Sequence, residues 1–471
     1  MVTVRRTVPG VDFAQVRAEL HVREEFPAEV LAEARRAAAD PRLPEADDTG
    51  LPLVTLDPEG SRDLDQAVHI ARDGDGYLVS YAIADVAAFV TAGGPIDDEC
   101  WLRGQTLYCP DKRIPLHPTE LSEDGASLLP EQVRPAALWE LRLDASGAVT
   151  SATVRRTKVR STAALSYEQT QRDFAAGSAH PSLALLAEVG PKRLRLAQQR
   201  HAINLNLPEQ VVEQGPHGWE LQYRTPLPCE LWNAEISLMT GVAAASIMLD
   251  AGAGILRTLP PAPEETLAEV RATALTLGIA WPDGAHPSDV IDGLDRENPR
   301  HVAFIEQAAH LLRGAGYLGY THGRPEDAVH AAIGAPYAHV TAPLRRLVDR
   351  YGLEVCLSAC AGQPIPAWAL DALPRLPDVV AGTGALESRL DNAIIDTVEA
   401  LLLRDAVGKQ FPAVVVGTGK DSVTVVLDEP AVRAKAEGGA RLGDSVQVRV
   451  DAADPQKPEL QLELVGHAQR R

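Results

Sequence analysis

Helical and strand-like patterning alternate along this chain in three blocks. In the first, apolar residues recur at helical spacing from Phe13 to Leu20 and from Phe26 to Ala38. Asp12 is suited to cap the first helix and Pro27 to open the second. Asp40, Pro41, Pro44 and the run Asp47 to Gly50 then break the pattern. This predicts a small helical hairpin, compatible with a helix-turn-helix module, and a linker over residues 1–48. The second block opens with Leu53, Val54, Thr55 and Leu56, an apolar, β-branched run that reads as a buried strand. It ends at Asp57, before the breakers Pro58 and Gly60. Alternating stretches flank Asp73-Gly74-Asp75-Gly76, and a second pair, Trp139 to Ser161, turns at Ser146-Gly147; both read as hairpins. Asp85 reads as a helix N-cap at a strand-to-helix turn. Helical spacing returns over Ser182 to Gln199, with a break predicted at Gly190-Pro191, and over Glu230 to Ala251, Pro260 to Trp281, Pro287 to Asp295 and His301 to Gly314. After a Pro- and Gly-rich stretch, Gly362 to Gly384, a last helix is predicted over Leu386 to Leu403.

The third block, from Ala406, is period-two again: FPAVVVGTG, SVTVVLDEP, DSVQVRVDAAD and ELQLELVG, separated by Gly, Asp and Pro. That is close to a five-stranded OB barrel with one strand not evident, and Arg433, Lys435 and Arg441 are candidates to line one of its faces. The fold class is therefore α+β: a core with a mixed sheet and surrounding helices over 49–404, and a small barrel over 405–471.

With 471 residues the chain has room for two or three domains. A formal net charge of −20 argues against a broadly basic exterior, so a nucleic-acid ligand would need a local basic groove. Arg156, Lys158 and Arg160 share one strand face and read equally as such a strip or as a solvated edge. No run of about 18 apolar residues is read as a membrane span, and the N-terminus lacks an apolar leader. Five scattered cysteines fit a reducing cytoplasm better than a disulfide framework or a zinc site.

The candidate chemistry lies just after the first strand. Asp57, Asp63 and Asp65, with Gln66 beside them, bring three carboxylates to one strand end. Burying like charges unpaired costs several kcal/mol or forces protonation. A hard cation such as Mg²⁺, held by a few carboxylates and substrate phosphates, resolves that conflict.

The spacing of Asp57, Asp63 and Asp65 resembles the signature of the ribonuclease II and ribonuclease R (RNB) exoribonucleases, with Gln66 standing where that family has a fourth Asp. The resemblance continues in order through AIADV around Asp85, the Tyr-x-Pro and Ile-Pro-x-x-Pro elements of Arg103 to Ser122, ALSYEQTQ around Tyr167, and the helix carrying Glu235. It is again dense at Tyr337-Ala-His339-Val-Thr341-Ala-Pro343-Leu-Arg345-Arg346. Three metal-holding acids follow from it, Asp57, Asp63 and Asp65, with Gln66 as a neutral fourth ligand. Tyr108 and Tyr167 would stack on bases near an RNA 3′ end, and Glu235 would contact the terminal nucleotide. Arg345 would grip the scissile phosphate, with Arg346 beside it on RNA. Pro343 is placed in the first turn of a helix starting near Thr341, so that both arginines would lie at a helix N-terminus. The two N-terminal cold-shock barrels usual in the family do not fit in the first fifty residues, whereas the C-terminal barrel resembles its S1 domain.

The expectation is thus a Mg²⁺-dependent enzyme, with Mn²⁺ as a substitute metal. It would be a cytoplasmic monomer that hydrolyses single-stranded RNA 3′ ends, and structured RNA with a 3′ overhang, processively to nucleoside 5′-monophosphates. Gln66 favours an alternative, a catalytically degenerate relative that binds RNA without cutting it. A metal-dependent phosphatase or nucleotidyl transferase is a third class; no P-loop accompanies it.

Overall fold

The computed structural model describes residues 12–467 apart from 206, 208, 216, 217, 297, 428 and 455–458. The centre is a closed barrel of β1 (Leu53–Asp57), β2 (Gln66–Asp73), β3 (Gly76–Ala84), β6 (Val133–Leu143) and β7 (Val149–Ser166), in that order; β4 (Leu107–Tyr108) and β5 (Arg113–Ile114) form a separate ribbon. All barrel neighbours are antiparallel except β1 and β7, whose parallel pairing closes it. Leu53, Val54, Leu56, Tyr81 and Trp139 are buried in the cluster it encloses. Both expected hairpins are present, with Gly74 and Gly147 at positive φ in the turns.

Helices pack round this barrel. α1 (Phe13–Glu19) is capped by Asp12, and α2 (Ala28–Ala39) follows Pro27. They do not form a hairpin of their own. Phe13 and Val16 of α1 join a cluster with Leu390, Ile394 and Val398, whereas Val30 and Ala34 of α2 join the central core beside α3 (Pro95–Arg103). α4 (Tyr167–Ala176) and α5 (Leu186–Gln199) follow β7. The break expected at Gly190-Pro191 does not occur: α5 runs through Pro191. A Cβ on Gly190 would lie 2.3 Å from the Trp232 ring, so this glycine is a crossing point against the next helix. The packing offsets the roughly 3 kcal/mol cost of an internal proline. β8 (Glu209–Gly215) and β9 (Gly218–Arg224) form a ribbon.

α6 (Pro228–Ala251) starts with a proline at its first position, and Glu230 reaches back to accept from the Leu227 N–H at 3.0 Å. It is long and apolar enough to cross a membrane, which the sequence reading did not register. Ile236, Met239, Ala244 and Met248 are buried in the central core, as a soluble protein's core helix would have them. β10 (Gly254–Thr258) and β11 (Gly316–Tyr320) pair on either side of α7 (Glu264–Leu277), α8 (Pro287–Asp292) and α9 (Pro299–Ala308). These three helices share a satellite core with Val416 of the C-terminal barrel. The short pair β12 (Val329–His330) and β13 (Ala335–Pro336) leads to α10 (Leu347–Cys360), α11 (Ala367–Ala372) and α12 (Leu376–Leu403). α12 begins ten residues before the expected Leu386. Gly382 and Gly384 each cost about 1 kcal/mol in a helix, which does not end one, and Pro377 lies in the first turn, where no N–H is needed.

The chain ends in a second closed barrel, β14 (Gln410–Thr418), β15 (Ser422–Leu427), β16 (Val432–Glu437), β17 (Ser445–Asp454) and β18 (Glu459–His467). β16 is the strand missing from the pattern, because its inward positions include the small Ala436. Its Arg433 is on the exposed face of the barrel and pairs with Glu306 of α9 at 2.8 Å. The basic strip on β7 is likewise neutralised: Arg156 pairs with Asp85 and Glu354, and Lys158 with Asp47 at 3.2 Å. Asp85 makes no capping bond; its carboxylate serves that network.

Candidate active site

The parallel pairing of β1 and β7 sets Asp57 opposite Ser166, so Asp57 and Tyr167 leave the barrel at the same rim. The loop after Asp57 is pinned by Leu64, which is buried and donates its N–H to Ser127 Oγ at 3.0 Å. That fixes Asp63 and Asp65 on either side. Asp65 is buried, and its Oδ1 accepts from the Leu344 N–H at 2.7 Å. Its Oδ2 is 3.5 Å from Arg345 Nε.

Residues 341–346 are not the expected helix start. They form an irregular turn, and α10 begins only at Leu347. The N–H groups that would have opened a helix are taken by acids from elsewhere: Leu344's by Asp65 and Ala342's by the fully buried Asp349 at 2.6 Å. The two arginines consequently differ. Arg346 is held by both oxygens of Asp349, at 2.8 and 2.7 Å, so its guanidinium is engaged in an ion pair where it borders a neighbouring cavity. Arg345 is half-exposed and reaches into a cavity of about 570 Å³.

Asp57, Asp63, Asp65, Gln66, Tyr108, Tyr167 and Arg345 all line this cavity. The Tyr167 hydroxyl accepts from Asn233 Nδ2 at 3.2 Å. Tyr108 lies opposite Arg113 in the β4–β5 ribbon, and both touch Asp63: the Tyr108 hydroxyl donates to Oδ2 at 3.4 Å, and Arg113 pairs with Oδ1. A second cavity of about 360 Å³ meets the first at Tyr108 and Arg345 and adds Arg257, Tyr317 and His339.

Two expected residues are placed differently. Gln66 touches the cavity, but its amide is engaged: Nε2 donates to the Thr341 carbonyl at 2.7 Å and Oε1 accepts from the Tyr81 hydroxyl. Its carbonyl oxygen is a structural acceptor between β3 and the 341–346 turn rather than a free metal ligand. Glu235 faces away. It lies about 140° round α6 from Glu230, the acid of that helix that does line the cavity. Glu235 is buried, with Oε2 lacking a partner, and burial raises its pKa against the opposing charges of Arg193 and Arg200. Sequence reasoning missed Arg113, Arg224 and Glu230 in the lining and Asp349 behind it. The residue Glu230, three positions after the Leu227 cap, carried a legible capping signal; Arg113 carried none.

The electrostatics suit a cation. Burial pushes the Asp57 carboxyl up to about 7, with Arg345 opposing that shift and Asp63 adding to it. Asp57 Oδ2 is buried without a partner. Burial likewise raises Asp65 well above the ordinary range, against Arg345 and the Leu344 N–H. Among the described residues no three acidic, His or Cys side chains are gathered closely enough to enclose an ion by themselves. An open set of carboxylates completed by water and substrate phosphate is the kind of site Mg²⁺ uses, and these residues fit one.

Comparison with known proteins agrees in order and extent. Residues 46–353 match the RNB domain family and residues 409–465 the RNase II-type exonuclease C-terminal S1 domain. Ribonuclease R 2 of Lactococcus lactis is 22% identical over 97% of this chain and 75% of its own length. The structure of Mycoplasma genitalium RNase R in complex with ribose methylated single-stranded RNA superposes with a TM-score of 0.86 at 18% identity, covering 96% of this chain and 77% of that one. Yeast Ssd1, a pseudonuclease, superposes with a TM-score of 0.69 at 17% identity, over 95% of this chain and 54% of its own. The fold is therefore shared by nucleases and by a protein described as lacking that activity. A barrel whose rim carries Asp57, Asp63 and Asp65, an arginine turn docked on them, and a C-terminal S1 barrel make this chain a member of the RNB family of exoribonucleases.

Proposed function

We propose that the protein is a hydrolytic, processive 3′→5′ exoribonuclease that depends on Mg²⁺, or Mn²⁺ in its place, and releases nucleoside 5′-monophosphates. The observation that carries this reading is the convergence of three acids, two tyrosines and one accessible arginine in a single cavity. Its substrates would be single-stranded RNA 3′ ends, including overhangs on structured RNA, taken by a cytoplasmic monomer. All five cysteines are free, which is consistent with that compartment.

Asp57, Asp63 and Asp65 would hold the metal, which when bound supplies an activated water and charge neutralisation at the phosphate. Tyr108 and Tyr167 offer ring faces for the terminal bases; such stacking contributes about 1–3 kcal/mol per base and accepts any base. Arg345 binds the phosphate and gains strength as charge develops on its oxygens. Asp65 sets that geometry by holding the Leu344 N–H, one residue before the arginine. Arg113 and Arg224 also line the cavity, but each is paired there with an acid, Asp63 and Glu230, so Arg345 is the arginine that carries the phosphate contact.

A second reading, an RNA-binding relative without turnover, is favoured by one observation: Asp63 is paired with Arg113. Incubating 5′-labelled single-stranded RNA with the protein and Mg²⁺ separates the two. A shortening ladder with released monophosphates, lost in Asp65→Asn while RNA affinity stays within a few-fold, is the expected result. Binding with no shortening by the unaltered protein would establish the second reading instead.

A further inference from the structure

Both oxygens of Asp63 are occupied by side chains of the β4–β5 ribbon. Arg113 takes Oδ1 and the Tyr108 hydroxyl takes Oδ2, and these residues face each other across the two-residue β4–β5 ribbon. Arg113 has a second anchor, Glu123 Oε1 at 3.2 Å, so it stays tethered at the cavity wall if it leaves Asp63. We propose that this ribbon is a substrate-released latch on the metal site: it occupies Asp63 in the RNA-free protein, and an RNA phosphate entering the cavity draws Arg113 away and frees Asp63 for the cation. The proposal rests on the metal-dependent reading above and adds the order of events to it.

The chemistry supports the exchange. A guanidinium fork matches phosphate as well as carboxylate, so Arg113 can trade one anion for the other without a loss of pairing. A base stacking on Tyr108 pulls the same ribbon toward the substrate. Asp57 and Asp65 both feel the charge of Asp63, so an arginine fixed on Asp63 weakens the cation site as a whole. By linkage, RNA must raise metal affinity by the factor by which metal raises RNA affinity.

The test is Mn²⁺ binding, read by the paramagnetic signal of free Mn²⁺, with and without a ribose-methylated single-stranded RNA. The wild-type chain should bind Mn²⁺ weakly alone and about tenfold more tightly with RNA, within the usual span of coupling between sites. Arg113→Met and Arg113→Gln should bind Mn²⁺ alone about as tightly as the wild type does with RNA, and gain little from RNA. Arg224→Met removes a charge from the same lining but from an arginine paired with Glu230, and should bind like the wild type. Melting curves confirm that each variant is folded. Unchanged Mn²⁺ affinity in both Arg113 variants, or an equal gain in Arg224→Met, overturns the latch while leaving the metal site in place. No Mn²⁺ binding by the wild type even with RNA overturns the latch and the metal-dependent reading together.

Discussion

Replacing Gln66 with glutamate keeps the shape of the side chain and exchanges one NH₂ for an oxygen. That nitrogen donates to the Thr341 carbonyl at 2.7 Å. An ionised glutamate sets oxygen against oxygen there. The fold then has two routes. It can keep the carboxyl protonated, so that its O–H donates to Thr341; at pH 7, about 2.7 units above an ordinary glutamic acid pKa of ~4.3, this costs about 3.7 kcal/mol. Or it can leave the Thr341 carbonyl without a donor, at about 1–3 kcal/mol. The cheaper route sets the outcome, so Gln66→Glu should destabilise the protein by about 1–3 kcal/mol at pH 7. The pH dependence has a definite sign. The carboxyl's pKa is raised in the folded state, so relative stability is nearly that of the wild type below ~4.3 and falls as pH rises, until the ionised route caps the loss. At pH 5 the proton route costs only about 1 kcal/mol. Urea unfolding of variant and wild type, compared at pH 5 and pH 8, measures this as a difference in which the other titrating groups cancel. Because Tyr81 holds Oε1, the Mg²⁺ concentration for half-maximal turnover should not change. Equal destabilisation at both pH values, or a clearly lower Mg²⁺ requirement, refutes this placement of Gln66 and returns it to the metal.

Two further outcomes follow from the same geometry. Asp57 has its carboxyl pushed up to about 7 by burial, so at low Mg²⁺ turnover should rise with pH through that range, and added Mg²⁺, which favours the ionised form, should move the midpoint downward; a midpoint independent of Mg²⁺ in pH–rate profiles removes Asp57 from the site. Arg345→Lys should lower turnover more than RNA affinity and leave the melting temperature nearly unchanged, whereas Arg346→Ala leaves the buried Asp349 charge uncompensated and should cost about 3–5 kcal/mol of stability; calorimetry alongside single-turnover kinetics checks both, and a reversal of the two patterns would exchange their roles.

Much of this was legible in the sequence because it was local. The β-branched run before Asp57, the Asp-Gly turns and the spacing of the three acids each state their structure within a few residues. The C-terminal strands were equally plain, except where alanines made β16 too faint to read. The illegible features depend on distant partners. Nothing near Pro343 says that Asp65 and Asp349 will claim the N–H groups a helix would use. Which acid of α6 faces the cavity depends on how the helix is rotated in the core, and that is set by Gly190 under Trp232 and Gly241 under Tyr337. The basic strip on β7 looked open because Asp85 and Glu354 lie far away in sequence. Gln66 looked like a substituted metal ligand because Thr341 is 275 residues from it.

The parallel seam between β1 and β7 sets a measuring baseline. Asp57 stands opposite Ser166, the residue before Tyr167, across one strand spacing of about 4.8 Å. The separation of acid from aromatic ring is thus written in main-chain hydrogen bonds, and the roughly hundred residues between them drop out of it. Lengthening the turn at Asp73–Gly76 or at Ser146–Gly147 leaves that baseline intact, however long the insertion. Deleting a single residue from the C-terminal half of β7 does not, because a strand that slips by one turns its side chains to the opposite face of the barrel wall. The gauge that sets the tyrosine against the acid is in that sense the pitch of a β-sheet, and the loops are free to diverge around it.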